Sequence, residues 1–347
     1  MRVSVVIPTY NREPLILRAL NSALNNIEGN DEIIVVDDGS TDSTSDTVRR
    51  VDDLRIRYIR QAHSGAGVAR NRGTAEATGE LVAYLDSDDE WLPGKLALQR
   101  EIFAAREDVL FCFTNFIREY NGVLFRRDLA RWHTDRRSWD EIMGKPLPYS
   151  AITNLASRNA EFLVYLGDIY HAQMYTNFIL TSCLMVRRLG AGDAIRFGIA
   201  VKTYEDWECF GRLARYGVGA FLDCETAVQH SHSGPRLTDA DYLTRIDARL
   251  AILRDVWGAD FDFLTAHGEE YRKLVDGQLL LKARYLLGKG LSDDARRAIR
   301  TLQKVPPSLR FLAAIPQGVL RPAARARQWA KTTALGWISM SRTGRDL

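Results

Sequence analysis

A chain of 347 residues, 46% hydrophobic and 26% charged, holds enough apolar material for one large α/β domain and a smaller appendage, which excludes a disordered polypeptide. A net charge of +3 argues against a dedicated nucleic-acid binder, yet the charge is unevenly spread: residues 286–347 hold 12 Lys/Arg against 3 Asp/Glu, and the remainder 35 against 41. Four scattered cysteines, Cys112, Cys183, Cys209 and Cys224, contain no CxxC pair and no disulfide spacing, so a reducing cytoplasm is expected.

In chain order, Val3–Ile7 predicts a buried strand. Asn11 as a cap and Pro14 in the first turn predict a helix whose apolar face is Ile16, Ala19, Leu20, Ala23, Leu24 and Ile27. Glu32–Val36 predicts a second strand ending in Asp37-Asp38-Gly39-Ser40. A short helix, a strand at Ile56–Ile59, a helix near Ala66–Ala77 and a strand at Leu81–Leu85 continue the alternation, which is the pattern of a parallel sheet with crossover helices. Beyond Asn115 the pattern becomes irregular and aromatic-rich, and residues 115–185 read as a variable, substrate-facing region. After about Arg236 the chain reads as helical. The expected division is therefore 1–235 for the α/β domain and 236–347 for a basic helical region.

Polar residues gather where the predicted strands end, at Thr9-Tyr10, at Asp37-Asp38 and at Asp86-Ser87-Asp88-Asp89. In open α/β sheets those ends face the ligand. Asp86-Ser87-Asp88 is a DxD pattern: two hard carboxylates on one tight turn suit a divalent cation bound to a diphosphate, where the cation offsets charge on a departing group. Gly65-Ala66-Gly67-Val68-Ala69-Arg70 is not a dinucleotide fingerprint, because Arg70 stands at its third glycine and no first βαβ unit opens there.

With these motifs in place the chain resembles the family 2 glycosyltransferases of GT-A fold. The resemblance rests on Val3 to Arg12, Glu32 to Asp42, Gly65 to Gly73 with Ala69-Arg70-Asn71, Leu85 to Asp89, and Glu205-Asp206-Trp207-Glu208, in the family's order over roughly the first 235 residues. It implies a mainly parallel central sheet flanked by helices, a nucleotide-diphosphate-sugar donor with UDP as the leading expectation, and inversion at the transferred sugar. Carried over by residue, Pro8, Thr9 and Tyr10 would line the base pocket with Arg12 nearby, Asp38 would accept a hydrogen bond from the base, and Arg70 would meet the diphosphate. Asp86 and Ser87 would touch the donor. Asp86 and Asp88 would hold Mn²⁺ or Mg²⁺, with either His230 or His232 completing the shell. Asp206 would be the general base that takes the acceptor's proton, and Glu205, Trp207 and Glu208 would lie on the acceptor side.

Two other functions use related residues. A nucleotidyltransferase also uses acidic metal loops, but it calls for a Gly-rich, basic loop after the first strand where this chain has Pro8-Thr9-Tyr10-Asn11. An inactive donor-binding module would not need Asp206. The segment from Pro306 to Trp337 mixes Arg310, Arg321, Arg325, Arg327 and Lys331 with Leu309, Phe311, Leu312, Trp329 and Leu335. It reads either as an amphipathic surface on an anionic membrane or as a packed, solvated helix. The first alternative fits a lipid-linked acceptor and an enzyme on the inner face of the membrane; a carbohydrate acceptor needs no such surface. No signal peptide is expected from the opening residues, and the sequence holds no run of roughly 18 apolar residues.

Overall fold

The structure, a computed structural model, describes residues 1–132, 137–153, 161–232, 234, 239–302 and 304–322. The chain divides into two compact units, Met1–Asp239 and Ala240–Leu347. The first holds eleven described strands: β1 (Val3–Thr9), β2 (Glu32–Asp37), β3 (Ile56–Arg60), β4 (Leu81–Tyr84), β5 (Asp89–Trp91), β6 (Val109–Tyr120), β7 (Val123–Phe125), β8 (Leu147–Pro148), β9 (Leu163–Gly167), β10 (Met185–Arg187) and β11 (Val218–Gln229). Their order is β3-β2-β1-β4-β10-β6-β11-β9-β8, with β5 on β11 and β7 on β6. The β3-β2-β1-β4 half is wholly parallel. β10 then runs antiparallel between β4 and β6, and β6 pairs parallel with β11.

The longer helices of this unit are α1 (Glu13–Leu24), α2 (Thr44–Arg49), α3 (Ala66–Glu76) and α4 (Lys95–Ala105). Short turns follow as α5 (Leu129–Trp132), α6 (Trp139–Met143), α7 (Tyr149–Thr153), α8 (Tyr170–Gln173) and α9 (Arg188–Ala191), before α10 (Glu205–Tyr216). Every residue of β1, β2 and β4 is buried, which is why these strands read as continuous apolar runs rather than alternating ones. α1 buries Ile16, Ala19, Leu20 and Ala23, the face set by the 3.6-residue spacing. The second unit is helical, with α11 (Tyr242–Ile252), α12 (Phe261–Gly288), α13 (Ser292–Ile299) and α14 (Pro307–Ala314). Ala283, Leu286, Leu287, Ala295, Ala298, Leu309 and Ala313 form a core there. Among the described residues no helix is long and apolar enough to cross a membrane.

Two local expectations are corrected. Asn11 does not cap α1: it has φ 50° and its Oδ1 accepts the Thr41 N–H at 2.8 Å, so its side chain braces the turn after β2. Arg12 stands at the cap position and makes no side-chain cap. The irregularity expected from Asn115 begins later, because β6 continues to Tyr120 against β11 and β7.

Candidate functional site

Parallel pairing carries the ends of β1, β2 and β4 to one rim, since Thr9 lies opposite Asp37 and Val6 opposite Tyr84. The turns leaving those ends line a cleft of about 460 Å³ whose residues include Pro8, Thr9, Tyr10, Arg12, Asp38, Arg70, Asp86, Ser87, Asp88, Asp89 and His230. Thr9 Oγ1 is buried there without a hydrogen-bond partner among the described residues.

On the β2 side, Asp37 serves the fold: its Oδ1 accepts the Ser40 N–H at 2.7 Å and its Oδ2 accepts the Tyr58 hydroxyl at 2.5 Å. Both Asp38 oxygens are also engaged. Oδ1 accepts from Gln61 Nε2 (2.8 Å) and Ser64 N (2.9 Å), Oδ2 accepts from Gly65 N (2.7 Å), and His63 Nδ1 lies 2.9 Å from Oδ2. In this arrangement Asp38 organises residues 61–65, and a base reading it would displace one of these donors. The loop in turn stacks the His63 imidazole on Tyr10, with ring centroids 4.1 Å apart and planes 25° from parallel.

Arg70 stands at the centre. Its Nη2 donates to Asp86 Oδ1 at 2.8 Å and its Nη1 to Glu205 Oε1 at 2.7 Å, and the side chain is 5% exposed. Burial alone would lower its pKa, but the charges of Asp86 and Glu205 outweigh that and raise it. One guanidinium thus ties the acidic turn after β4 to the first turn of α10. Close approach makes this possible: a Cβ on Gly67, one turn before Arg70, would fall 2.5 Å from Gly198 O and 3.3 Å from Glu205 Cγ. Asp86 is itself pushed up, by burial and by the charge of Asp88, against the pull of Arg70.

Asp88 faces the other way. Its Oδ2 lies 2.8 Å from His232 Nε2 and 3.6 Å from Arg12 Nη2, and its main-chain oxygen accepts from Arg18 Nη2 at 2.6 Å. The far nitrogen of His232, Nδ1, is buried with no partner among the described residues. His230 points elsewhere, with Nε2 2.9 Å from Glu90 Oε2 and Nδ1 3.9 Å from Glu119 Oε2. The two histidines left open by the sequence therefore separate: His232 meets the DxD acid and His230 meets Glu90. β5 and β11 hold these segments together, because Gln229 pairs with Asp89 and Val228 with Glu90. Asp88 and His232 together offer a carboxylate and an imidazole 2.8 Å apart, donor types that Mn²⁺ accepts.

Asp206 lies in the first turn of α10, after Tyr204 in a left-handed conformation with φ 64°. Its Oδ1 accepts the Trp207 N–H at 2.8 Å and its Oδ2 accepts Asn177 Nδ2 at 3.1 Å. Burial, joined by the charge of Glu205, pushes its pKa up to about 7 against the pull of Arg70. The residues expected on the acceptor side make protein contacts of their own. Trp207 is 2% exposed and its indole N–H donates to Gln173 O at 2.7 Å, so it packs α10 in place and offers no open ring. Glu208 is paired with Arg212 on its own helix, and Glu205 is paired with Arg70.

Several participants carried no sequence signal. Ser182 accepts the Asp86 N–H at 3.1 Å and donates to Asp89 Oδ2 at 2.6 Å, which fixes the acidic turn. His63, Gln61 and Asn177, from loops, and Gln173, at the end of α8, likewise join this network through tertiary contacts.

This fold is that of the GT-A class. The first 349 residues of *S. aureus* TarS, in complex with UDP, superpose with a TM-score of 0.56 at 20% identity over 95% of this chain and 92% of that one. A mannosyltransferase of Pyrobaculum calidifontis, in complex with GDP-Man and Mn²⁺, does so with a TM-score of 0.52 at 18% identity over 95% and 88%. The family model for glycosyl transferase family 2 matches residues 4–175, so this stretch is a domain of that family. An uncharacterized glycosyltransferase of Nostoc sp. is 43% identical over 112 residues, 31% of this chain and 35% of that protein. The Escherichia coli UDP-Glc:alpha-D-GlcNAc-diphosphoundecaprenol beta-1,3-glucosyltransferase WfaP is 38% identical over 123 residues, 35% of this chain and 49% of that protein. The chain thus spans between about a third and a half of the length of these two relatives.

Proposed function

We propose that this protein is an inverting glycosyltransferase that moves a sugar from a nucleotide-diphosphate donor, UDP-linked first among them, to a hydroxyl of a carbohydrate or lipid-linked acceptor. The observation that carries the reading is the buried Arg70 bridge, which joins the donor-side acid Asp86 to Glu205, the neighbour of Asp206. Donor chemistry and acceptor chemistry are thereby held a single guanidinium apart. The WfaP relative, whose name specifies a UDP-glucose donor and a lipid-diphosphate acceptor, supports the choice of substrate class.

In this mechanism Tyr10, with Pro8 and Thr9, receives the base, and Arg12 and Arg70 supply positive charge toward the diphosphate. Asp88 and His232, with Asp86, would hold a Mn²⁺ or Mg²⁺ ion, which stabilises negative charge on the leaving diphosphate when bound. Asp206 takes the proton from the acceptor hydroxyl as its oxygen attacks the anomeric carbon from the face opposite the leaving group. A carboxylate poised near pH 7 is matched to that task.

The test uses UDP-glucose and UDP-GlcNAc with Mn²⁺, following release of UDP with water or a sugar acceptor. Asp206→Asn should lose about 10²-fold or more in turnover while UDP affinity stays within about threefold. Undiminished turnover in that variant would contradict the assignment.

A further inference from the structure

We propose that Asn177 is the positioning residue that aims the Asp206 carboxylate at the acceptor hydroxyl. The inference rests on Asp206 being the general base. Its starting point is that the orientation of the Asn177 amide is dictated by its neighbours. Gln173 Nε2 lies 3.1 Å from one end of that amide and the Ile179 main-chain N–H lies 3.0 Å from the same end. Both groups only donate, so the atom between them is the oxygen. The amide nitrogen is then the end turned to Asp206 Oδ2, 3.1 Å away.

Gln173 is itself fully buried, its Oε1 accepts the Phe178 N–H at 3.2 Å, and its carbonyl accepts the Trp207 indole at 2.7 Å. The chain Trp207, Gln173, Asn177, Asp206 therefore closes on itself around the start of α10. Asp206 receives one donor on each oxygen, from its own helix and from the segment after α8, and two donors on two oxygens fix the rotation of a carboxylate. The charged groups acting on it are Glu205 from α10, Arg70 from α3 and Asp86 from the turn after β4. Asn177 adds a neutral donor that stabilises the ionised form and leaves the remaining lone pairs of Oδ2 for a proton.

Two variants separate this role from a structural one. Asn177→Asp keeps an oxygen for Gln173 and Ile179 but sets a carboxylate against Asp206, and Asn177→Ala removes the donor. The titration of Asp206 is followed in the full chain by NMR of the ¹³C-labelled aspartate carboxyl, assigned by its loss in Asp206→Asn. In both variants the midpoint should rise by about one pH unit or more. With UDP-glucose and Mn²⁺, kcat should fall about tenfold or more at neutral pH with KM within about twofold. Asn177→Asp should melt within a few degrees of the parent. A midpoint unmoved in both variants, or an unchanged kcat, would overturn the inference. Retained turnover in Asp206→Asn would instead sink the general-base reading, and the NMR titration would still report the Asn177 contact.

Discussion

Two opposed pressures act on Asp206. Burial, with Glu205 beside it, raises its pKa to about 7 from an ordinary 3.8, while Arg70 and the Trp207 N–H pull it down. A carboxyl held above its ordinary value binds its proton more tightly when folded. Its contribution to stability is therefore complete below about pH 4 and is lost as pH rises through about 7. Asp206→Asn, which never ionises, should melt above the parent at about pH 8, and the gap should close below about pH 4; thermal melts across that range check it. Turnover should show the opposite slope, rising as pH climbs through about 7, because only the ionised form accepts a proton. Asp88 carries a different expectation. Its Oδ2 faces His232 and Arg12, so Asp88→Ala should abolish the Mn²⁺ dependence of transfer and cut its rate, as a metal titration of initial rates would read. The acids at 86, 88 and 206 were legible in the sequence because they sit at strand or helix ends inside short motifs. Asn177, Gln173 and Ser182 were not, since each is an ordinary polar residue whose partner is chosen by tertiary packing alone.

At the level of elements, α3 lies so close to the sheet that a Cβ on Gly73 would fall 2.4 Å from Val6 Cγ1 and 3.3 Å from Val36 Cγ2. Gly73→Ala is expected to destabilise the protein by about 1–3 kcal/mol, the range for overpacking a tight core, as a urea midpoint would show. Because α3 also carries Arg70, the same substitution should weaken UDP binding. The parallel half of the sheet was legible because strands buried on both faces read as apolar runs separated by amphipathic helices. The second half was not. β10 enters antiparallel between β4 and β6 in only three residues, and β11 shifts register against β6 at three places, so neither leaves a periodic signature. Asn11 was misread for a related reason: a residue suited to capping found a stronger partner in the Thr41 N–H.

For the whole molecule, the basic end of the chain presents apolar side chains to its surroundings. α14 turns Leu309 and Ala313 into the core of the helical unit and leaves Phe311 71% and Leu312 41% exposed, with Val319 65% exposed beyond it. Arg325, Arg327, Trp329, Lys331 and Leu335, which completed the amphipathic pattern, lie outside the described residues. The exposed apolar residues and the +9 charge of residues 286–347 support a peripheral hold on anionic lipid. The chain should float with vesicles containing phosphatidylglycerol, and should cease to do so at high salt or when truncated after Pro306; indifference to both removes the idea. The pairing of Asp89 with Gln229 has a consequence of its own. Main-chain bonds between β5 and β11 bring distant stretches of sequence together independently of the side chains at 88 and 232, so exchanging those two for other donors should leave the ladder in place. If the proposed cation is held there, preference among cations should be open to redesign one side chain at a time.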